Sequence, residues 1–129
     1  LGIGAVEDIF NSVEQGIDMF DCVAPTRWGR RGHLYISPEE GGNQTNKFRI
    51  VITNSKFKED KKPIDKTCTC YVCKNYSRAY LRHLFVSKEW TFYRLAAYHN
   101  EHFILRLMES IRESINKKQF KKLKKKWLK

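Results

Sequence analysis

The stretch Cys68-Thr-Cys70-Tyr-Val-Cys73, with His99 farther along the chain, is where the reading of this fold begins. Three thiols and an imidazole at Cys-x-Cys-x-x-Cys…His spacing match the donor set of a tetrahedral zinc ion. Cys22 is the one other cysteine, so a disulfide framework would strand a thiol inside a tight cluster. Clustered thiols point instead to a metal in a reducing compartment, and hence to a cytoplasmic location. Because Cys68, Cys70, Cys73 and His99 fill all four coordination positions, zinc here organises structure and leaves no open site for chemistry.

Working outward, 129 residues with 41% apolar content suffice for one modest domain and its core. Leu1 in place of a methionine suggests a chain that begins inside a larger protein. No apolar run reaches membrane-spanning length, and none has the form of a signal peptide. The net charge is +11, and its distribution is informative. Residues 1–20 carry Glu7, Asp8, Glu14 and Asp18 with no lysine or arginine, which leaves +15 on the remainder. A basic remainder suits a polyanion, nucleic acid before an anionic membrane; a solvated lysine-rich surface would read the same way.

Elements follow from periodicity. Residues 1–4 read as the end of a buried strand. Val6, Ile9, Phe10, Val13 and Ile17 recur at helical spacing, with Glu7 and Asp8 in the first turn. The apolar run 17–23, around Asp18 and Asp21 and closed by Pro25, reads as a second buried strand. Helix followed by buried strand is the rhythm of a parallel α/β fold. Residues 26–32 read as a basic loop, and 33–37 and 48–53 as two strands. A charged linker spans 60–66. Ser77 opens a helix carrying Tyr80, Leu81, Leu84 and Phe85. A long helix follows around His99, with Ile104, Leu107, Met108, Ile111 and Ile115 on one face. The final segment, 117–129, sets eight lysines around Phe120, Leu123 and Trp127.

Asp21 is the second feature of chemical interest. A carboxylate in a buried apolar strand is costly unless paired, hydrogen-bonded or functional. Beside it lie Arg27, Gly29, Arg30, Arg31 and Gly32. One reading is a structural ion pair with Arg27 or Arg30. The other is a nucleophilic carboxylate next to an anion-binding loop. Composition leaves both open.

The run Gly16-Ile-Asp-Met-Phe-Asp21-Cys-Val-Ala-Pro-Thr-Arg27, then Gly29-Arg30 and Gly32-His33, resembles the nucleophile segment of the tRNA-guanine transglycosylases. The resemblance continues through Phe57, Pro63-Ile-Asp65, the three cysteines, Tyr76-Ser-Arg-Ala-Tyr80 and His83-Leu84 to His99-Asn100 and Phe103. His99 stands 26 residues after Cys73, the offset of that family's histidine ligand. The likeness is to the C-terminal third of the family's chain and favours its bacterial type.

The resemblance implies an α/β fold: the C-terminal part of a (β/α)8 TIM barrel with an inserted zinc-binding subdomain. Residues 1–32 would hold the last barrel strands with the nucleophile, 33–98 the zinc subdomain, and 99–129 the closing helices with a basic tail. It implies that Asp21 attacks the ribose of a wobble guanosine in a tRNA anticodon loop as guanine leaves. A 7-deazaguanine, preQ1 or queuine, then displaces the carboxylate with retention, completing a step of queuosine biosynthesis. One N-glycoside replaces another, so no nucleotide cofactor is implied. Cys22 fits a small packed residue better than a rival nucleophile. Gly2, Ile3, Gly4, Ala5, Val6, Glu7 and Asp8, with Thr26, Arg27, Trp28, Gly29 and Arg30, match the family's RNA-contacting stretches. Tyr76, Tyr80, His83 and Leu84 fall where relatives form a homodimer; the competing view packs these side chains over the metal knot. No membrane partner is implied.

Departures from the family pattern are few. The spacing between Asp21 and Cys68 is longer, with the extra residues in 38–47. Ala5 replaces a lysine common in bacterial relatives, and Trp28 in the arginine loop either stacks on a base or shields the loop. The lysine-rich tail would add salt-dependent tRNA attraction. The general acid/base and the guanine-reading residues lie outside these 129 residues, so the isolated chain is expected to be inactive. Two alternatives keep the fold without the chemistry: a zinc-containing tRNA-binding module or paralogous subunit, and a zinc-organised protein-interaction domain.

Overall fold

A computed structural model describes residues 1–129. Six helices surround one short antiparallel ribbon: α1 (Val6–Glu14), α2 (Ala24–Arg30), β1 (His33–Tyr35), β2 (Arg49–Val51), α3 (Tyr71–Asn75), α4 (Arg78–Val86), α5 (Trp90–Asn116) and α6 (Phe120–Trp127). In the ribbon His33 pairs with Val51, Leu34 with Ile50 and Tyr35 with Arg49. No parallel sheet is present.

The helix α5 and the strand β1 organise two cores. Successive strand residues point to opposite faces, so Leu34 and Ile36 enter a metal-side core while Tyr35 enters a second one. Along α5 the buried residues recur every three or four positions. Phe92, Leu95 and Ala96 serve the metal-side core, and Phe103, Leu107 and Ile111 the second. Between them His99 and Asn100, both 0% exposed, face β1.

Helix α6 closes the second core. Its lysines face outward while Trp127 packs on Phe10, Phe48 and Phe103 at centroid distances of 5.9, 5.5 and 5.9 Å. Such aromatic pairs contribute about 0.5–1.5 kcal/mol each beyond area burial. Lys124 pairs with Glu14 at 2.6 Å and Lys126 with Glu39, so two of the eight tail lysines fasten the helix to α1 and to the β1–β2 connection.

Several expectations are corrected. Residues 17–23 form neither strand nor helix, and Ile17, Met19 and Val23 are 48, 85 and 56% exposed. Residues 1–4 are likewise unpaired except for one bond, from the Gly2 amide to the Asp21 carbonyl at 2.8 Å. Apolar sequence alone does not make a strand; a neighbour must supply the ladder, and here the two segments have little more than each other.

The basic stretch 26–32, expected as a loop, is mostly helix α2. Pro25 sits in its first turn, where a missing amide costs nothing. Gly29 allows the close approach to α5: an added Cβ would lie 3.2 Å from the Ala96 backbone. The supposed charged linker 60–66 holds Ile64 and Asp65 at 0 and 1% exposure. Arg78 secures this segment, bonding Asp60 at 3.2 Å, Glu40 at 2.9 Å and the Ile64 carbonyl at 2.8 Å. Residues 38–47 form a self-bonded loop in which Asn43 and Asn46 each accept the other's amide.

Candidate metal centre and nucleophile segment

The three thiols come from one tight turn. Cys70 caps α3 and its sulfur accepts the Cys73 amide at 3.4 Å, which turns Cys73 back beside it. Helix α5 brings His99 to the same point. Its Nδ1 lies 3.9, 3.5 and 3.4 Å from the sulfurs of Cys68, Cys70 and Cys73, and all four donor atoms fall within 4.8 Å of one another. Bond lengths of ~2.3 Å to sulfur and ~2.05 Å to nitrogen in a tetrahedron give an N···S edge of roughly 3.6 Å. The donor set therefore fits zinc in both chemistry and size.

The surroundings favour a ligand role. His99 donates Nε2–H to the Tyr35 carbonyl at 2.8 Å, which fixes the tautomer and leaves the Nδ1 lone pair facing the thiols. Burial acts to lower the His99 pKa, but hydrogen bonds with Cys68 and Cys70 and to the Tyr35 carbonyl outweigh it and hold it up at about 9. Hydrogen bonds from Cys68 and Cys73 hold the Cys70 thiol far below its usual range. Hydrogen bonds to Cys68 and Cys70 push Cys73 up. The spare histidines His33, His83 and His102 stand apart from the cluster.

Asn100 links this centre to the chain that follows Asp21. Its Oδ1 accepts the Tyr35 amide at 3.0 Å, while Nδ2 donates to the carbonyls of Pro25 at 2.9 Å and His33 at 3.0 Å. Neighbouring residues of α5 therefore grip β1 and the start of α2 together. Asp65 does similar work at the other end of β1, accepting the Ser37 amide at 2.6 Å and the Thr67 amide and hydroxyl at 2.8 and 2.7 Å. Both residues lay within matched motifs, but only their contacts reveal this clamping.

Asp21 is exposed, contrary to the buried carboxylate expected, and forms no ion pair with Arg27 or Arg30. Its carbonyl is tied to Gly2, placing the carboxylate segment beside the residues 2–8 stretch. Cys22 packs between these strands of chain, its sulfur 3.6 Å from the Gly2 carbonyl and so close to Gly4 that a Cβ there would clash. That is a packing role. Glu7, Asp8, Arg27 and Arg30 are exposed, whereas Val6 and Gly29 are buried and present backbone at most. Trp28 is half-buried beneath the Arg49 guanidinium, 3.9 Å from the ring centroid, so one of its faces is already occupied.

Of the expected pairing surface, Leu84 is only 6% exposed and belongs to the metal-side core, which removes it from any interface. Tyr80 and His83 are exposed, and Tyr76 stacks on Tyr80 at 5.4 Å. No helix is long and apolar enough to cross a membrane.

A Cys3His group that could hold a metal ion thus lies next, through Asn100, to the start of an arginine-bearing helix. The queuine tRNA-ribosyltransferase family model matches residues 1–129, and the chain belongs to that family. It is 62% identical over 128 residues to a putative queuine tRNA-ribosyltransferase of Archaeoglobus fulgidus. It is 48 and 47% identical over 128 residues to queuine tRNA-ribosyltransferases of Aquifex aeolicus and Fusobacterium nucleatum. In each case 99% of this chain aligns with 32% of the relative, so the chain spans about one third of the length of these proteins.

Proposed function

We propose that these residues are the C-terminal part of a tRNA-guanine transglycosylase in which Asp21 is the nucleophile. The observation that carries this reading is the unpaired, exposed Asp21 carboxylate within a chain matched to the family along its whole length. Asp21 attacks the anomeric carbon of the wobble ribose, the guanine N-glycosidic bond breaks, and an incoming 7-deazaguanine, preQ1 or queuine, displaces the carboxylate. The free guanidinium groups of Arg27 and Arg30, with Thr26 and residues 2–8, contact the anticodon loop. Cys68, Cys70, Cys73 and His99 would hold zinc, which would supply structure and take no part in bond-making.

The barrel is completed by the other two thirds of the protein, against which the exposed Ile17, Met19 and Val23 pack. That portion brings the general acid/base and the guanine-reading groups, so residues 1–129 alone are inactive. Tyr76, Tyr80 and His83 remain the pairing surface for a homodimer. The test is exchange of labelled guanine into tRNA by the full-length protein. Asp21→Asn is expected to lower the rate by at least about 1000-fold, the order seen when a covalent nucleophile is removed, and to abolish a denaturation-resistant tRNA adduct. Exchange at the normal rate by that variant, or by residues 1–129 alone, refutes the reading.

A further inference from the structure

Three side chains that are, or can become, cationic converge on one indole. The Arg49 guanidinium lies 3.9 Å from the Trp28 centroid, that of Arg31 lies 5.7 Å away, and the His33 ring is centred at 5.1 Å. None of the three makes an ion pair. Burial, then the charges of Arg49 and Arg31, push the His33 pKa down. An aromatic face balances part of a guanidinium charge, but it offers no lone pair to N–H groups lying in the guanidinium plane. Arg49 Nε and Nη1 are buried with no acceptor. Buried donors without partners are rare in folded proteins because each forfeits its hydration.

The backbone leading to Arg49 is also unusual. Lys47 and Phe48 adopt consecutive left-handed conformations, with φ of 53° and 56°, a strain that persists only when the surroundings enforce it. The turn seats Phe48 in the second core and sets Arg49 over Trp28. Arg49, Lys47 and Trp28 line a cavity of about 300 Å³ that the start of α1 also lines. Glu7 and Asp8 are among its lining residues, and neither pairs with Arg49. The site thus joins both stretches assigned above to tRNA with a third segment, at the start of β2, that lies outside them.

We propose that Arg49, held in place by Trp28 and flanked by Arg31, binds a phosphate of the tRNA backbone. Phosphate oxygens accept from the Nη2 end of the guanidinium, the one nitrogen not sealed off by protein, and they neutralise the converging positive charge. Trp28 acts as a positioning residue for the guanidinium, not as a platform for a base. This inference rests on the tRNA-binding reading above.

The experiment measures binding of a full-length tRNA transcript to the full-length protein across a salt series. Arg49→Gln is expected to weaken binding about tenfold near 0.1 M salt and to reduce the slope of log affinity against log salt by about 0.7–0.9, one phosphate's share. Arg49→Lys is expected to keep the slope while losing part of the affinity, which a packing role would not do. Trp28→Leu should give an intermediate loss. Unchanged affinity and slope in Arg49→Gln overturn the proposal. So does a loss of slope in Arg49→Lys as large as in Arg49→Gln. If Arg49→Gln matches a wild-type protein that binds tRNA and exchanges guanine, this inference alone fails. A wild-type protein with no salt-dependent tRNA affinity sinks the underlying reading as well.

Discussion

Replacing Asn100 by alanine should cost more stability than any exposed substitution in this chain. The residue is 0% exposed, and its amide makes three hydrogen bonds of 2.9–3.0 Å to the Tyr35 amide and the Pro25 and His33 carbonyls. Truncation leaves all three partners in place but unbonded. A buried group so orphaned costs about 1–3 kcal/mol, and a small void adds to it, so the expected loss is about 3–5 kcal/mol. Asn100→Asp should fare no better: it keeps an acceptor for the Tyr35 amide but sets a carboxylate against two carbonyl oxygens. The assay is guanidinium unfolding of the zinc-loaded protein followed by tryptophan fluorescence, with hydrogen exchange at the Tyr35 amide as the local readout. That amide should lose protection in Asn100→Ala while zinc content holds, since His99 keeps its own bonds. A loss below about 1 kcal/mol with the Tyr35 amide still protected would refute the clamp.

Two further outcomes follow from the same contacts. Burial acts to raise the Asp65 pKa, but hydrogen bonds from Thr67 and Ser37 outweigh it and leave the group below its usual value. A depressed folded pKa stabilises the protein above the unfolded value of about 3.9 and loses that contribution as pH falls through the folded value. Comparing unfolding midpoints of wild type and Asp65→Asn from pH 6 to pH 3 should therefore show the difference narrowing with acid; a gap independent of pH would contradict it. Cys70→Ser, at a side chain 1% exposed that also caps α3, should abolish stoichiometric zinc and destroy near-ultraviolet signals of the metal-side core. Structural zinc sites contribute on the order of 10 kcal/mol in apparent binding free energy. Full zinc content in the variant would show that the cluster is not the site.

The arginine loop and the linker at 60–66 mark where local reading fails. Residues 26–30 carry charge and glycine, which suggests a loop, yet Gly29 is what lets a helix lie against the Ala96 backbone. Lys61, Lys62 and Lys66 gave 60–66 the look of solvated chain, but Asp65 and Ile64 are buried because Arg78 and Ser37 arrive from elsewhere. Asp21 went the other way. Its apolar neighbours implied burial, but within these 129 residues the segment 17–23 meets no sheet, so the carboxylate is exposed here.

By itself the sequence determined the candidate metal donors that the fold brings together, the helical periodicities of α1, α4 and α5, and the family, because ligand chemistry and spacing are properties of short stretches of chain. Tertiary structure alone decided how Asn100 and Asp65 brace the strand between the two cores, that Leu84 is unavailable to a partner, and that Arg49 rests on Trp28. Those facts depend on residues tens of positions apart meeting in space. Only there do exclusion of water and the need to satisfy every buried polar group select one arrangement from many.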